Sequence, residues 1–432
     1  MFNIERASMY KKTVLKNGVR VVTHDIKDRD SVAVGIWIGV GGRYEDDRVK
    51  GSAHFLEHIV FKGCRKYNCG QIKEKIEGVG GMLNAFTSEE QTCFYAKIPS
   101  KHINITFDVL ADMVFHPLIS KTDVKKEKTV IVEEIKMYHD LPQYFVIELL
   151  DELVWQGHPL GKSLAGTIES VTALQDKDLK GFHRAHYTAD NIVVSACGNI
   201  QHDKVVQLAN KYLGSLNGSG KKEFIQFTQK QDQPRYRFLK KDIEQMHLAL
   251  GAPGYHERHK DRFAMSLLSI ILGGNMSSRL FVEVREKRGL AYSISSSSKT
   301  LHDTGLFIIR AGVDNSKIVE TVKVVMHELA KIKQREVSKS EFTRGKEYLL
   351  GQLLLGLEDT MDHMLWLGES VIAKNEMRTL KEVIDDFNKV TIADIRRVAK
   401  EIFSPEHLNL AIVGPISALQ ENQLKNLIKI SE

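Results

Sequence analysis

The chain has 432 residues, 42% hydrophobic and 27% charged, which is an ordinary globular composition with material for two or three domains. Its net charge of +6 arises from 61 basic and 55 acidic residues, and no basic run is interleaved with aromatics, so composition makes no case for a nucleic-acid partner. The longest apolar stretch, 31–42, is too short to cross a bilayer, so no membrane partner is expected either.

At the N-terminus, 1–12 has no apolar core and carries Glu5, which does not read as a secretory signal. Residues 14–24 read as a hairpin turning at Asn17-Gly18, and 31–40 as a strand rich in Val and Ile. The spacing over 51–62 is helical, with Ser52 as the expected N-cap. Residues 81–99 alternate as extended chain, and 101–115 and 124–139 follow as helices. Hairpins next to separate helices favour an α+β arrangement over a parallel α/β one.

The chain also repeats itself. Residues 187–198 match 403–414 at an offset of 216, each running from an aromatic through a turn and an apolar run to a closing Gly. Residues 120–128 match 338–346 at an offset of 218, and 38–42 match 250–254 at an offset of 212. A polar, glycine-rich stretch lies between the copies. The expected organisation is a first half at 1–215, a linker at 216–235 and a homologous second half at 236–432.

His54-Phe55-Leu56-Glu57-His58 carries the chemistry. On a helix, positions four apart lie about 40° apart in azimuth and about 6 Å along the axis, so two imidazoles converge on one ion. Zinc accepts them at about 2.0–2.1 Å. Glu57 falls on a neighbouring azimuth, where a carboxylate serves as base for a water that the ion acidifies. The bland alternative is a helix that merely carries two histidines and an acid. A third ligand is required, and the helix at 124–139 offers Glu127 and Glu134, seven apart and on one face, with Glu133 turned about 100° away. That stretch also reads as an exposed acidic face.

The four cysteines, Cys64, Cys69, Cys93 and Cys197, have neither ligand spacing nor a disulfide framework, and are expected as free buried thiols of a cytoplasmic protein. His158 is expected to be structural, and His183 and His186 to lie on the surface or in the core without a ligand role.

The run His54 to His58, continued by Ile-Val-Phe-Lys-Gly63, resembles the metal helix of the pitrilysin/insulinase-type zinc peptidases, the inverzincins. It is most similar to their processing-protease branch, which includes the catalytic subunit of mitochondrial processing peptidase and bacterial homologues. The resemblance implies Glu134 as third ligand, 76 residues after His58, and Glu127 as the acid that orients a zinc ligand. It implies that 80–87, with Asn84 and Ala85, forms an edge strand that a peptide joins through backbone hydrogen bonds; without it, this reads equally as an inner strand. It implies further that Arg285 binds peptide backbone and Tyr292 donates to the oxyanion. At the repeat offset Glu127 faces Gly345 and Glu134 faces Gln352, and 264–271, opposite the His54 helix, carries no metal pattern.

The expectation is therefore two homologous α+β halves, antiparallel-rich sheets with flanking helices, facing each other across a cavity. The expected activity is a zinc metalloendopeptidase acting on unfolded peptides or presequence-like segments, and the resemblance implies a homodimer. Two alternatives stand beside it: a non-catalytic core-type subunit of the same fold, and a protease subunit that needs a different partner chain.

Overall fold

The computed structural model describes residues 10–218 and 223–429; the start of the N-terminal segment and 219–222 of the interval between the halves lie outside them. The first hairpin pairs β1 (Tyr10–Val14) with β2 (Arg20–Asp25), and Gly18 supplies the positive φ of its turn, +99°. Next come β3 (Ser31–Ile38), β4 (Met82–Thr87), β5 (Thr92–Pro99) and β6 (Ile192–Gly198), in a sheet of order β1-β2-β6-β3-β5-β4. β7 (Arg235–Lys240), β8 (Gln245–Gly254), β9 (Ala291–Thr300), β10 (Gly305–Asp314) and β11 (Asn409–Gly414) form a second sheet of order β7-β11-β8-β10-β9.

Setting β1 aside, the two orders are the same. β2 beside β6 and β7 beside β11 are parallel pairs, and every other pairing is antiparallel. The sequence repeat is thus a repeat of topology, and the fold is α+β. β4 and β9 occupy equivalent outer positions.

Contacts gather the described residues of Met1–Ile135, Ser163–Ile225 and Leu354–Val383 into one compact unit, and those of Lys136–Lys162, Gln226–Leu353 and Ile384–Glu432 into another. The strands follow the sequence halves, but two helices do not. Helix Thr360–Lys374 packs on β3 and β6 of the first unit, placing Met364, Leu367, Val371 and Ile372 against Val22, Ala33, Trp37 and Val193. Helix Pro142–Val154 packs on β8 and β11 of the second, with Val146, Leu149 and Leu150 against Ala249, Ala411 and Val413. The halves have exchanged one covering helix each.

The exchange explains why β6 is buried along its whole length: helices cover both of its faces. The approach is close. A Cβ on Gly368 would lie 2.1 Å from Trp37 Nε1, which donates to Ser195 Oγ at 2.8 Å. Among the described residues, no helix is long and apolar enough to cross a membrane.

Candidate metal centre

Helix Ser52–Ile59 presses Phe55, Leu56 and Ile59 into the first core, which leaves His54, Glu57 and His58 on its half-buried side. Its start differs from the expectation. Gly51 is the N-cap, in the left-handed region at φ +93°, and Ser52 Oγ has no hydrogen-bond partner among the described residues. The capping group comes from upstream: Glu45, wholly buried, accepts from Gly51 N at 2.9 Å and Ala53 N at 2.7 Å. Lys50 Nζ lies 3.2 Å from the same carboxylate. Ser52 loses the role because φ > 0 at Gly51 moves the first turn out of its reach and brings two amides onto Glu45.

Helix Lys121–Asp140 supplies the acids. Glu134 Oε2 lies 3.3 Å from His58 Nε2 and 3.8 Å from His54 Nε2. Glu127, 3% exposed, holds His58 Nδ1 at 3.0 Å and is held by Lys62 Nζ at 2.6 Å. Glu133 is exposed on another face. The helical-face argument therefore separates these three carboxylates in the way the structure does. Lys62 escaped notice in the sequence, although it lies one turn beyond His58.

The charges are uneven. Burial, then the neighbouring His58, push His54 down to about 4. Burial also opposes charge on His58, but hydrogen bonds to Glu127 and Glu134 outweigh it and lift the ring to about 9. Hydrogen bonding from His58 holds Glu134 below the usual carboxylate range against its burial. Burial lifts Glu57 above that range, with Thr87 and His58 pulling the other way.

Ligand atoms of His54, His58 and Glu134 all lie within 4.8 Å of one another, the one such His/Cys/Asp/Glu group among the described residues. In a tetrahedron with bonds of about 2.0–2.1 Å, ligand atoms sit about 3.3 Å apart, close to the observed 3.3 and 3.8 Å, so this group could hold a metal ion. Glu127 on the far nitrogen of His58 is the usual partner of a ligating imidazole.

Among the described residues β4 runs along the first sheet's outer edge and pairs only with β5, against the inner-strand alternative for Asn84 and Ala85. Asn84 is exposed, and its side chain accepts from Ala85 N at 2.8 Å.

In the second unit, Arg285 and Tyr292 both sit on irregular backbone. Arg285 belongs to a π-helical turn, Phe281–Glu286, closed by Lys287 N to Val282 O at 2.9 Å. Tyr292 is the extra residue of a β-bulge, since Ser293 pairs with Gly312 and Ala291 with Val313. Its side chain is 76% exposed, and the Arg285 guanidinium lies 5.6 Å from its ring. Arg279 and Arg288 are tied to Glu341 and Glu283, both at 2.6 Å, whereas Arg285 has no carboxylate partner among the described residues.

Three other histidines, His158, His183 and His186, are held by local contacts. His158 Nδ1 accepts from Leu160 N at 3.2 Å, His183 Nε2 meets Val114 O at 2.8 Å, and His186 packs on Phe182. All four cysteines are free; Cys64, Cys93 and Cys197 are buried as expected, whereas Cys69, in the first turn of a surface helix, is only half-buried.

Comparison with known proteins agrees with this layout. Residues 20–168 match the family described as Insulinase (Peptidase family M16), and 173–349 match the one described as Peptidase M16 inactive domain. An uncharacterised zinc protease of Bacillus subtilis, YmxG, is 36% identical over 94% of this chain and 98% of its own. One of Rickettsia felis is 33% identical over 93% and 96%. A protease from Helicobacter pylori superimposes with a TM-score of 0.89, at 26% identity over 94% of this chain and 99% of that one. A chain of Candida albicans Complex III2 shares the fold at 19% identity, with a TM-score of 0.82 over 97% and 99%.

Proposed function

This chain belongs to peptidase family M16, and we propose that it is a zinc-dependent endopeptidase of the processing-protease branch, cleaving unfolded peptides or presequence-like segments. The observation that carries the proposal is the convergence of His54, His58 and Glu134, with Glu57 on the same helix.

His54, His58 and Glu134 would hold the ion, and Glu127 would fix the His58 ring by accepting from Nδ1. Bound zinc supplies Lewis acidity, polarising a carbonyl and lowering the pKa of water toward about 7. Glu57 takes a proton from the attacking water and passes it to the leaving amine. The peptide adds to the free edge of β4 at Asn84 and Ala85. Tyr292 donates a hydrogen bond from its hydroxyl to the carbonyl oxygen as negative charge builds there, and Arg285 holds peptide backbone.

A homodimer in the cytoplasm belongs to the same proposal; the free cysteines support a reducing compartment. The test is zinc content measured beside cleavage of a quenched peptide, with and without chelator, for the wild type and Glu57→Gln. Wild type should hold about one zinc and lose activity with it, while the variant keeps zinc and is inactive. Activity that survives complete zinc removal would sink the proposal.

A further inference from the structure

Helix Pro142–Val154 packs on β8 and β11 with Leu306 and Ile308 of β10 in the same cluster, and its first turn borders a gap over residues 310–312 of β10 and 293–295 of β9. A cavity of about 300 Å³ remains there, lined by Gln143, Tyr144, His247, Ser293, Ser295 and Arg310, among others. Gly312 pairs with Ser293 and contributes no side chain, which opens the floor.

No Asp or Glu lines this cavity. Arg310 is exposed, and its Nε donates to Ser295 Oγ at 3.1 Å. Its two terminal nitrogens have no partner among the described residues, so the guanidinium fork is available. Burial holds His247 below the usual histidine range, so the cavity's positive charge comes from Arg310. Hydroxyl and amide donors of Ser293, Tyr144 and Gln143 line the same space. A planar cation ringed by neutral donors, with no competing carboxylate, selects a carboxylate. Ser293 directly follows Tyr292 in the chain, so the cavity lies on the same strand as the residue assigned to the reacting carbonyl.

We propose that this cavity is a carboxylate-binding subsite for the peptide substrate, with Arg310 as its specificity-determining residue. The inference rests on the peptidase reading. The carboxylate is an Asp or Glu side chain near the cleaved bond or the C-terminus of a short peptide.

The probes are quenched peptides identical except for Glu, Gln or Lys at one position scanned along the chain, each made as free acid and as amide. They are assayed with wild type, Arg310→Gln and Arg310→Lys. Wild type should show a KM about three- to tenfold lower for a Glu peptide than for its Gln twin, at similar kcat. Arg310→Gln should abolish the difference and Arg310→Lys restore part of it. Preference for free acid over amide, with no side-chain preference, identifies the terminal carboxylate and supports the subsite equally. Equal KM across the wild-type series overturns it, as does a preference that survives in Arg310→Gln. Fluorescence anisotropy of the same peptides on Glu57→Gln reads binding without turnover. Retained Glu-over-Gln binding beside an inactive wild type would count against the peptidase reading alone.

Discussion

Replacing Glu45 by Ala removes a carboxylate with no exposed surface, which accepts from Gly51 N and Ala53 N and faces Lys50 Nζ at 3.2 Å. Lys50 is only 6% exposed and keeps one other contact, Gly42 O at 3.1 Å. Leaving one member of a buried pair uncompensated costs about 3–5 kcal/mol, and each orphaned amide about 1–3 kcal/mol. These overlap, so about 4 kcal/mol is expected. Burial raises the Glu45 carboxyl against the pull of Lys50 and the amides, so the pair itself contributes little net stability. The double variant Glu45→Met, Lys50→Met should therefore recover most of the loss. If the loss leaves the first helical turn, which carries His54, about 1.4 kcal/mol uphill, that turn is formed in about one molecule in ten and apparent zinc affinity drops about tenfold. Urea unfolding followed by tryptophan fluorescence reads the first quantity, and competition with a chromogenic chelator reads the second. A Glu45→Ala variant with the wild-type urea midpoint and zinc affinity would show that the cap does not hold this helix.

Three further outcomes follow from the geometry. Glu134→Gln should release zinc whereas Glu133→Gln should not, because Glu134 alone of the two reaches His54 and His58; metal analysis after dialysis decides it. Tyr292→Phe should keep zinc and stability but lower kcat by about 10²–10³, the usual loss for one oxyanion donor; an unchanged rate would remove Tyr292 from the chemistry. Arg397 hydrogen bonding holds Asp261 below its ordinary 3.8. A depressed carboxyl stabilises the fold above 3.8 and loses that contribution as pH falls through the native value. Asp261→Asn should thus unfold at lower urea than wild type at about pH 7 and pH 5, with the gap narrowing below pH 3.8.

Much of the site is legible in the residue order because it lies on two helices. His54 and His58 are one turn apart, and Glu127 and Glu134 are two turns apart, so helical periodicity alone puts each pair on one face. Periodicity also turns Glu133 away. Glu45 was not legible. Its side chain reaches Gly51 and Ala53 across a loop whose path depends on positive φ at Gly51, and the local pattern favoured Ser52. Nor does spacing reveal that Arg285 lies in a π-turn or that Tyr292 is the bulged residue. Both irregularities arise where a helix and a strand adjust their registers to neighbours distant in sequence.

The family resemblance, the duplication, the His-x-x-Glu-His pattern at 54–58, and the division of strands between two sheets were all determined by the sequence, since each is written in short-range pattern or in a repeat. The exchange of helices Pro142–Val154 and Thr360–Lys374 between the sheets was decided only in three dimensions. An apolar helical face specifies that it must be covered but not by which sheet. The choice depends on fit, such as Gly368 against Trp37, between residues more than 300 positions apart.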